Sequence, residues 1–287
     1  MRIAIKRTAI GEAGYPGLLK HIARPPDVLY TIGDMEILGE RSVAVVGARK
    51  ASAYGKWAAY HIGRCLAECG VVTVSGLAYG CDAEAHRGAL EAGGKTVAVM
   101  GCGPDVCYPA GNAGLYRQIV DKGLILSEYP PGTQPRAYRF PQRNRIISGV
   151  SEAVVVAEAG LSSGSLITAA CAGEQGRSVF AVPGNISAAG SLGCNKLIQD
   201  GAVPVVVIDD ILREIGVRTE SGPQDAAEGL GADERAVYGE VRENGEVTAD
   251  FIARRLNKSV AEINGIVGIL EIKGFLVTSM GKIFIAM

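Results

Sequence analysis

The sequence predicts an α/β protein: a mostly parallel sheet assembled from βαβ units, followed by a small C-terminal winged-helix domain. Three observations predict it. Short apolar runs alternate with helix-like segments through the first 216 residues. Most of those runs are continuous, as strands buried on both faces are, instead of alternating apolar with polar. Glycine is abundant, 39 of 287 residues, and falls beside the apolar runs, where tight turns between strand and helix need it.

After a lead-in segment, 1–40, the elements follow in order. Val43–Val46 is the first core strand and runs through "GARKAS" into a helix over Lys56–Cys69. Val71–Val74 is the next strand; "SGLAYG" then leads to a helix over Asp82–Ala92, with Asp82 as its N-cap. Thr96–Met100, the turn "GCGPD", a helix over Ala113–Lys122 and the strand Leu124–Leu126 come next. A loop marked by Pro141 carries Arg143, Asn144 and Arg145. It precedes the strand Ala153–Ala157, a small-residue turn over Leu161–Ser165 and a helix over Leu166–Gln175. The strand Ser178–Val182, a helix over Asn195–Asp200 and a strand over Val203–Ile208 complete a first domain, 1–216. Ligands of such sheets bind beyond the carboxyl ends of the strands, where these glycine-rich turns fall.

Periodicity disappears over 217–232, a Gly-, Ala- and acid-rich linker. Residues 233–287 then read as three helices, Glu234–Glu243, Thr248–Leu256 and Val260–Lys273, and a hairpin about Met280-Gly281. Thr248 and Ser259 are the expected N-caps, with Glu262 at capping-box spacing from Ser259.

Composition bounds the function. Hydrophobic residues make up 48% and charged residues 21% of the chain, which fits a globular protein and not a disordered one. The net charge is −1, so any basic surface must be local. There is no apolar run of roughly 18 residues, as a membrane span requires, and no signal-peptide core at the N-terminus. A cytoplasmic protein is expected. The seven cysteines form no pair of CxxC units and the three histidines are scattered, so reduced structural thiols are expected and no metal.

Three motifs resemble nucleotide sites and fail on spacing. "VAVVGARKASAYG" lacks the GxGxxG arrangement of a dinucleotide fingerprint. "GGKT" at 93–96 has Ala89 where a P-loop needs its first glycine, and it enters a strand instead of leaving one. "GCGPDV" has two glycines and then a proline where a helix would start.

The segment from Phe140 to Ser165 carries the chemistry. Strand, hydroxyl- and glycine-rich turn, helix is the arrangement that aims free N–H groups and a helix dipole at an anion. Ser163, Gly164 and Ser165 form that turn. Arg143 and Arg145 flank Asn144 just upstream, and Gly47, Arg49 and Lys50 end the first core strand. Between Tyr129 and Ser151, Arg136, Arg139, Arg143 and Arg145 occur with Tyr129, Tyr138 and Phe140 and with no acid. Arginine interleaved with aromatics is the composition of a single-strand nucleic-acid groove; the competing reading is a solvated basic loop. If about four phosphates are neutralised, affinity falls with salt at a log–log slope of about −3. The one acid near the turn is Glu158, which a nucleotide hydrolase would need, and no catalytic set or cofactor site accompanies it.

The motifs "VAVVGARKASAYG", "VSGLAYGCDAEAHRGAL", "FPQRNRIISGVS", "VVAEAGLSSGSLITAACAGEQGRSVFAVPGN" and "SLGCNKLIQDGA" together resemble the DprA (Smf) family of DNA-processing proteins. The resemblance spans Tyr15 to Gly216 and implies an extended Rossmann-like sheet that binds single-stranded DNA. It further implies protection of incoming DNA, loading of the RecA recombinase in natural transformation, and a homodimer, with no enzymatic activity, cofactor or membrane. It implies DNA contact by Arg49, and no helical domain before Tyr15. Tyr79 departs from the family, which carries Arg or Lys there. Rossmann-like hydrolases of nucleoside monophosphates carry "PGGxGT" where this chain has "GLSSGS", which weakens the enzyme reading.

The eight acids and seven bases of 233–287 argue against a duplex-reading winged helix. Its would-be recognition helix has Glu262 and Glu271 against a terminal Lys273.

Overall fold

A computed structural model describes residues 4–217, 230–273, 275–279 and 281–285. The chain divides into two units, Met1–Thr219 and Glu220–Met287. Most of the predicted linker, 218–229, lies outside the described residues.

In chain order the first unit comprises β1 (Lys6–Ala9), α1 (Gly17–Lys20), β2 (Val28–Gly33), β3 (Ser42–Gly47), α2 (Ala53–Glu68), β4 (Val72–Ser75), α3 (Cys81–Glu91), β5 (Thr96–Met100), α4 (Ala113–Lys122), β6 (Leu124–Ser127), α5 (Arg139–Gly149), β7 (Ala153–Glu158), α6 (Ser165–Glu174), β8 (Ser178–Ala181), α7 (Leu192–Gln199), β9 (Val203–Pro204) and α8 (Asp209–Glu214). Nine strands form one sheet in the order β1-β2-β6-β5-β4-β3-β7-β8-β9. The seven from β6 to β9 are mutually parallel, while β2 meets β6, and β1 meets β2, antiparallel.

Burial on both faces explains the continuous apolar runs. Val43, Val45 and Val155 pack with Ile62 and Leu66 of α2 on one side. Ala44, Val46 and Val156 pack with Ile146 and Ile147 of α5 on the other. The chain winds outward from β3 through β4, β5 and β6, then returns to β7 beside β3 and winds the other way. That reversal opens a crevice between the carboxyl ends of β3 and β7. The β3–β7 register slips there, between Val46 and Gly47, so Gly47 pairs with Glu158. Such an irregularity bends a strand end away from its ladder.

Four expectations are corrected. The lead-in segment supplies two strands, β1 and β2, which short mixed sequences such as Lys6–Ala9 do not announce. The loop expected at Arg143–Arg145 is the helix α5; Pro141 sits in its first turn, where no intrahelical N–H bond is lost. The strand expected over Val203–Ile208 ends at Pro204. Val206 and Val207 are exposed, and the Val207 N–H donates to the Asp210 carboxylate at 3.2 Å, which starts α8 instead. Asp82 is not the N-cap of α3. Gly80 is, and the Asp82 carboxylate accepts from Gly76 N at 3.1 Å and Ala78 N at 3.4 Å.

In the second unit, α9 (Ala232–Asn244), α10 (Ala249–Leu256) and α11 (Val260–Ile272) precede a hairpin of β10 (Leu276–Ser279) and β11 (Lys282–Ile285). The Thr248 hydroxyl accepts from Phe251 N at 3.3 Å, and the Ser259–Glu262 capping box closes in both directions. Val237, Ile252, Ile263 and Leu270 form its core. Among the described residues no helix is long and apolar enough to cross a membrane.

Candidate nucleic-acid interface

The crevice at the β3/β7 switch point holds a cleft of about 680 Å³. Its walls follow from local sequence. Gly47 is required where β3 leaves the sheet, because a Cβ there would stand 2.5 Å from the Cys81 sulfur and 3.0 Å from the Glu158 carbonyl oxygen. The chain then passes Arg49 and Lys50, both exposed, before Ser52 caps α2. Ser52 N donates to Glu158 Oε1 at 3.0 Å and its hydroxyl donates to Oε2, while Gly55 N donates to the Ser52 oxygen at 3.0 Å. The buried Glu158 thus anchors the first turn of α2, with both carboxylate oxygens engaged.

On the opposite wall, Gly164 caps α6, and the hydroxyls of Ser163 and Ser165 lie 2.8 Å apart. The N–H groups of Gly164 and Ser165 take no carbonyl among the described residues, which leaves two donors at a helix N-terminus. Asn144 fixes this turn from α5, its amide donating to Gly164 O at 3.1 Å, and Arg143 Nε donates to the Asn144 side-chain oxygen at 3.3 Å.

The predicted site residues therefore separate. Gly47, Arg49, Lys50, Arg143, Asn144, Ser163, Gly164 and Ser165 line one cleft. Arg139 and Arg145 do not. Arg139 donates to Gln134 O at 2.6 Å and lies over the rings of Tyr129 at 4.7 Å and Tyr138 at 5.6 Å. Arg145 is ion-paired with Glu128, the acid one position before the acid-free run. Arg143 lines the cleft but is only 4% exposed. Its guanidinium donates to Gly76 O at 2.9 Å and to Val99 O, joining the ends of β4 and β5. Burial pushes the neighbouring Asp82 carboxyl upward; the Arg143 charge and backbone N–H groups oppose that shift.

Arg49 is different. It has no ion pair among the described residues and stands over the Phe140 ring, 5.4 Å from its centroid. Phe140 stacks in turn on Tyr108, with centroids 5.2 Å apart and planes 25° from parallel. With Tyr79, 49% exposed, these rings line a slot of about 50 Å³ beside Arg49. Sequence reasoning missed this slot because Tyr79, Tyr108 and Phe140 come from three separate loops and helices.

His86, the one histidine near these loops, is fully buried. Thr96 donates its hydroxyl proton to Thr73 O at 2.7 Å, so it accepts from His86 Nδ1 at 2.6 Å, and Nε2 has no protein partner among the described residues. Burial, and secondarily the Arg143 charge, push this imidazole down to about 3. It stays neutral and is unsuited to acid–base work. A depressed folded-state value means that the unfolded chain takes up the proton first. The contribution to stability is therefore complete above about pH 6.5 and is lost as pH falls from there toward 3, at about 1.4 kcal/mol per pH unit. Denaturant melts of wild type and His86→Leu should diverge by that slope below pH 6.5. Parallel curves would mean that His86 protonates in place.

A family profile, DNA recombination-mediator protein A, matches residues 6–216. The chain belongs to that family. It is 48% identical over 200 residues to DNA processing protein DprA of Streptococcus pneumoniae, covering 70% of this chain and 71% of that one. It is 43% identical over 215 residues to DprA of Bacillus subtilis, covering 75% and 72%. In three dimensions it resembles the Streptococcus pneumoniae DprA crystal structure, with a TM-score of 0.71, 45% identity and coverage of 73% and 74%. It also resembles Helicobacter pylori DNA processing protein A, with a TM-score of 0.68, 30% identity and coverage of 75% and 96%; that structure is described for a unique single-stranded DNA binding mode. The expected fold class holds: a mostly parallel α/β sheet shared with the DprA structures. Every cleft residue lies within the span matched to the DprA family.

Proposed function

We propose that this protein is a recombination mediator that binds single-stranded DNA, protects incoming strands and helps load RecA during natural transformation. It acts as a cytoplasmic homodimer without a cofactor or catalytic step. One observation carries the reading: Arg49, a cation with no ion pair among the described residues, lines both the cleft of a glycine–serine turn with spare N–H donors and a slot lined by three aromatic rings. Phosphate on the turn and a base on the rings is what a single strand offers and a duplex withholds. Gly47, Arg49, Lys50, Ser163, Gly164 and Ser165 contact the strand, and Arg143 and Asn144 position them. Glu158, which the hydrolase reading would use as its base, is tied to Ser52 and α2.

Mobility shifts with single- and double-stranded DNA, run beside a nucleotide-hydrolysis assay, test this reading. Single strands should bind with little sequence preference and no nucleotide should be cleaved. Arg49 and Lys50 alone predict a log–log salt slope of about −1.4, at about −0.7 for each phosphate neutralised. An affinity indifferent to salt would sink the proposal.

The second unit is proposed as a protein-facing module. Lys258, Lys273, Lys282 and Arg255 are each ion-paired with an acid of the same unit, which leaves few cations for phosphate. A chain ending at Val217 should keep most of its single-strand affinity. A loss of more than about tenfold on that truncation would make the second unit part of the DNA site.

A further inference from the structure

A second cleft, of about 260 Å³, opens beyond Arg49 between the loop after β3, the first turn of α2 and α3. Four cations, Arg49, Lys50, Lys56 and Arg87, line it against one carboxylate, Glu84, which Arg87 already holds at 2.5 Å. Arg49, Lys50 and Lys56 have no ion pair among the described residues. Like charges gathered in one concavity repel one another, and an anion relieves that repulsion. Arg49 and Lys50 line the first cleft as well, and Arg49 and Tyr79 also line the aromatic slot. The three cavities therefore adjoin one another at Arg49. A ligand confined to the first cleft has no use for Lys56 or Arg87, which line neither the first cleft nor the slot. A polyanion threading both clefts does.

We propose that Lys56 and Arg87 form a second phosphate subsite, which takes a neighbouring phosphodiester of the same single strand held by the glycine–serine turn. This rests on the single-strand reading above. It makes the site selective for length as well as for charge: nucleotides and very short strands reach one cleft, and longer strands reach both.

Fluorescence anisotropy with labelled oligothymidylates of roughly four and roughly sixteen nucleotides, the span of single-strand site sizes, tests it. Titrations at several salt concentrations around 0.15 M, where charge effects reach about 8 Å, give affinity and slope together. The double variant Lys56→Ala, Arg87→Ala should bind the long strand about tenfold more weakly and shorten its salt slope by about 1.4, with little change for the short strand. Lys56→Arg with Arg87→Lys, which keeps both charges, should restore most of the loss, and the melting temperature of each variant checks its fold. Equal affinity and slope for both lengths in wild type and double variant would overturn the subsite. A loss shared equally by both lengths would also overturn it, because the residues would then act on the first cleft. Wild-type protein that ignores both strands would overturn the single-strand reading together with this one; an indifferent double variant beside a binding wild type overturns this one alone.

Discussion

Arg49→Ala should weaken binding of single-stranded DNA by about 10- to 150-fold and leave the melting temperature where it is. A charge-assisted contact to phosphate is worth about 1.5–3 kcal/mol, which is that range of affinity. The fold should not notice, because the side chain is exposed, has no ion pair among the described residues and lies over the face of Phe140. The loss should exceed that of any other single cation, since Arg49 lines the first cleft, the aromatic slot and the second cleft together. Arg49→Lys should recover part of it: a lysine keeps the charge but neither the planar fork nor the stacking on Phe140. Arg145→Ala is the control. Sequence alone gives it the same role as Arg49, yet its guanidinium is held by Glu128 and does not line the cleft, so its DNA affinity should change little. Normal binding by Arg49→Ala, with the protein folded, would move the site elsewhere.

The contrast between Arg49 and Arg145 shows what could be read before the fold was known. Features that depend on neighbours in sequence were legible. Strands buried on both faces announce themselves as unbroken Val, Ala and Ile runs. The turn Leu161–Ser165 between such a run and a helix marked the corner where α6 starts with spare N–H donors, and Thr248 and Ser259 fixed two helix starts. Features that depend on what arrives from elsewhere were not legible. In sequence the acid-free run from Tyr129 to Ser151 does not distinguish its arginines, but three of the four have different fates. Arg145 turns to Glu128, just outside the run, Arg139 folds back on Gln134 and Tyr129, and Arg143 enters the core. Pro141 and the polar sequence around it hid the helix that separates them. The aromatic slot was invisible for the same reason, being assembled from Tyr79, Tyr108 and Phe140 far apart in the chain. In sequence Glu158 is the one acid near the turn that a hydrolase would need, whereas its engagement by Ser52 depends on a residue 106 positions away.

Arg143→Ala should destabilise the first unit by about 3–5 kcal/mol, the usual result of removing one member of a buried, compensated charge arrangement. For a domain of this size that lowers the melting temperature by on the order of 10 °C. The guanidinium donates to the carbonyls of Gly76 and Val99, and Gly76 packs so closely on it that a Cβ there would lie 2.6–2.7 Å from its atoms. Without it, those two carbonyls lose this donor and the buried Asp82 loses the charge that favours its ionised form. The Gly76–Ala78 loop that Asp82 holds also borders the aromatic slot, so DNA affinity should fall as a consequence of the fold, in parallel with stability. A double-mutant cycle separates this from a direct DNA contact. Asp82→Asn should be destabilising in wild type and much less so beside Arg143→Ala, with a coupling of about 0.5–3 kcal/mol between the two. Additive changes, or an Arg143→Ala variant that melts like wild type while failing to bind DNA, would mean that this guanidinium reaches the strand itself.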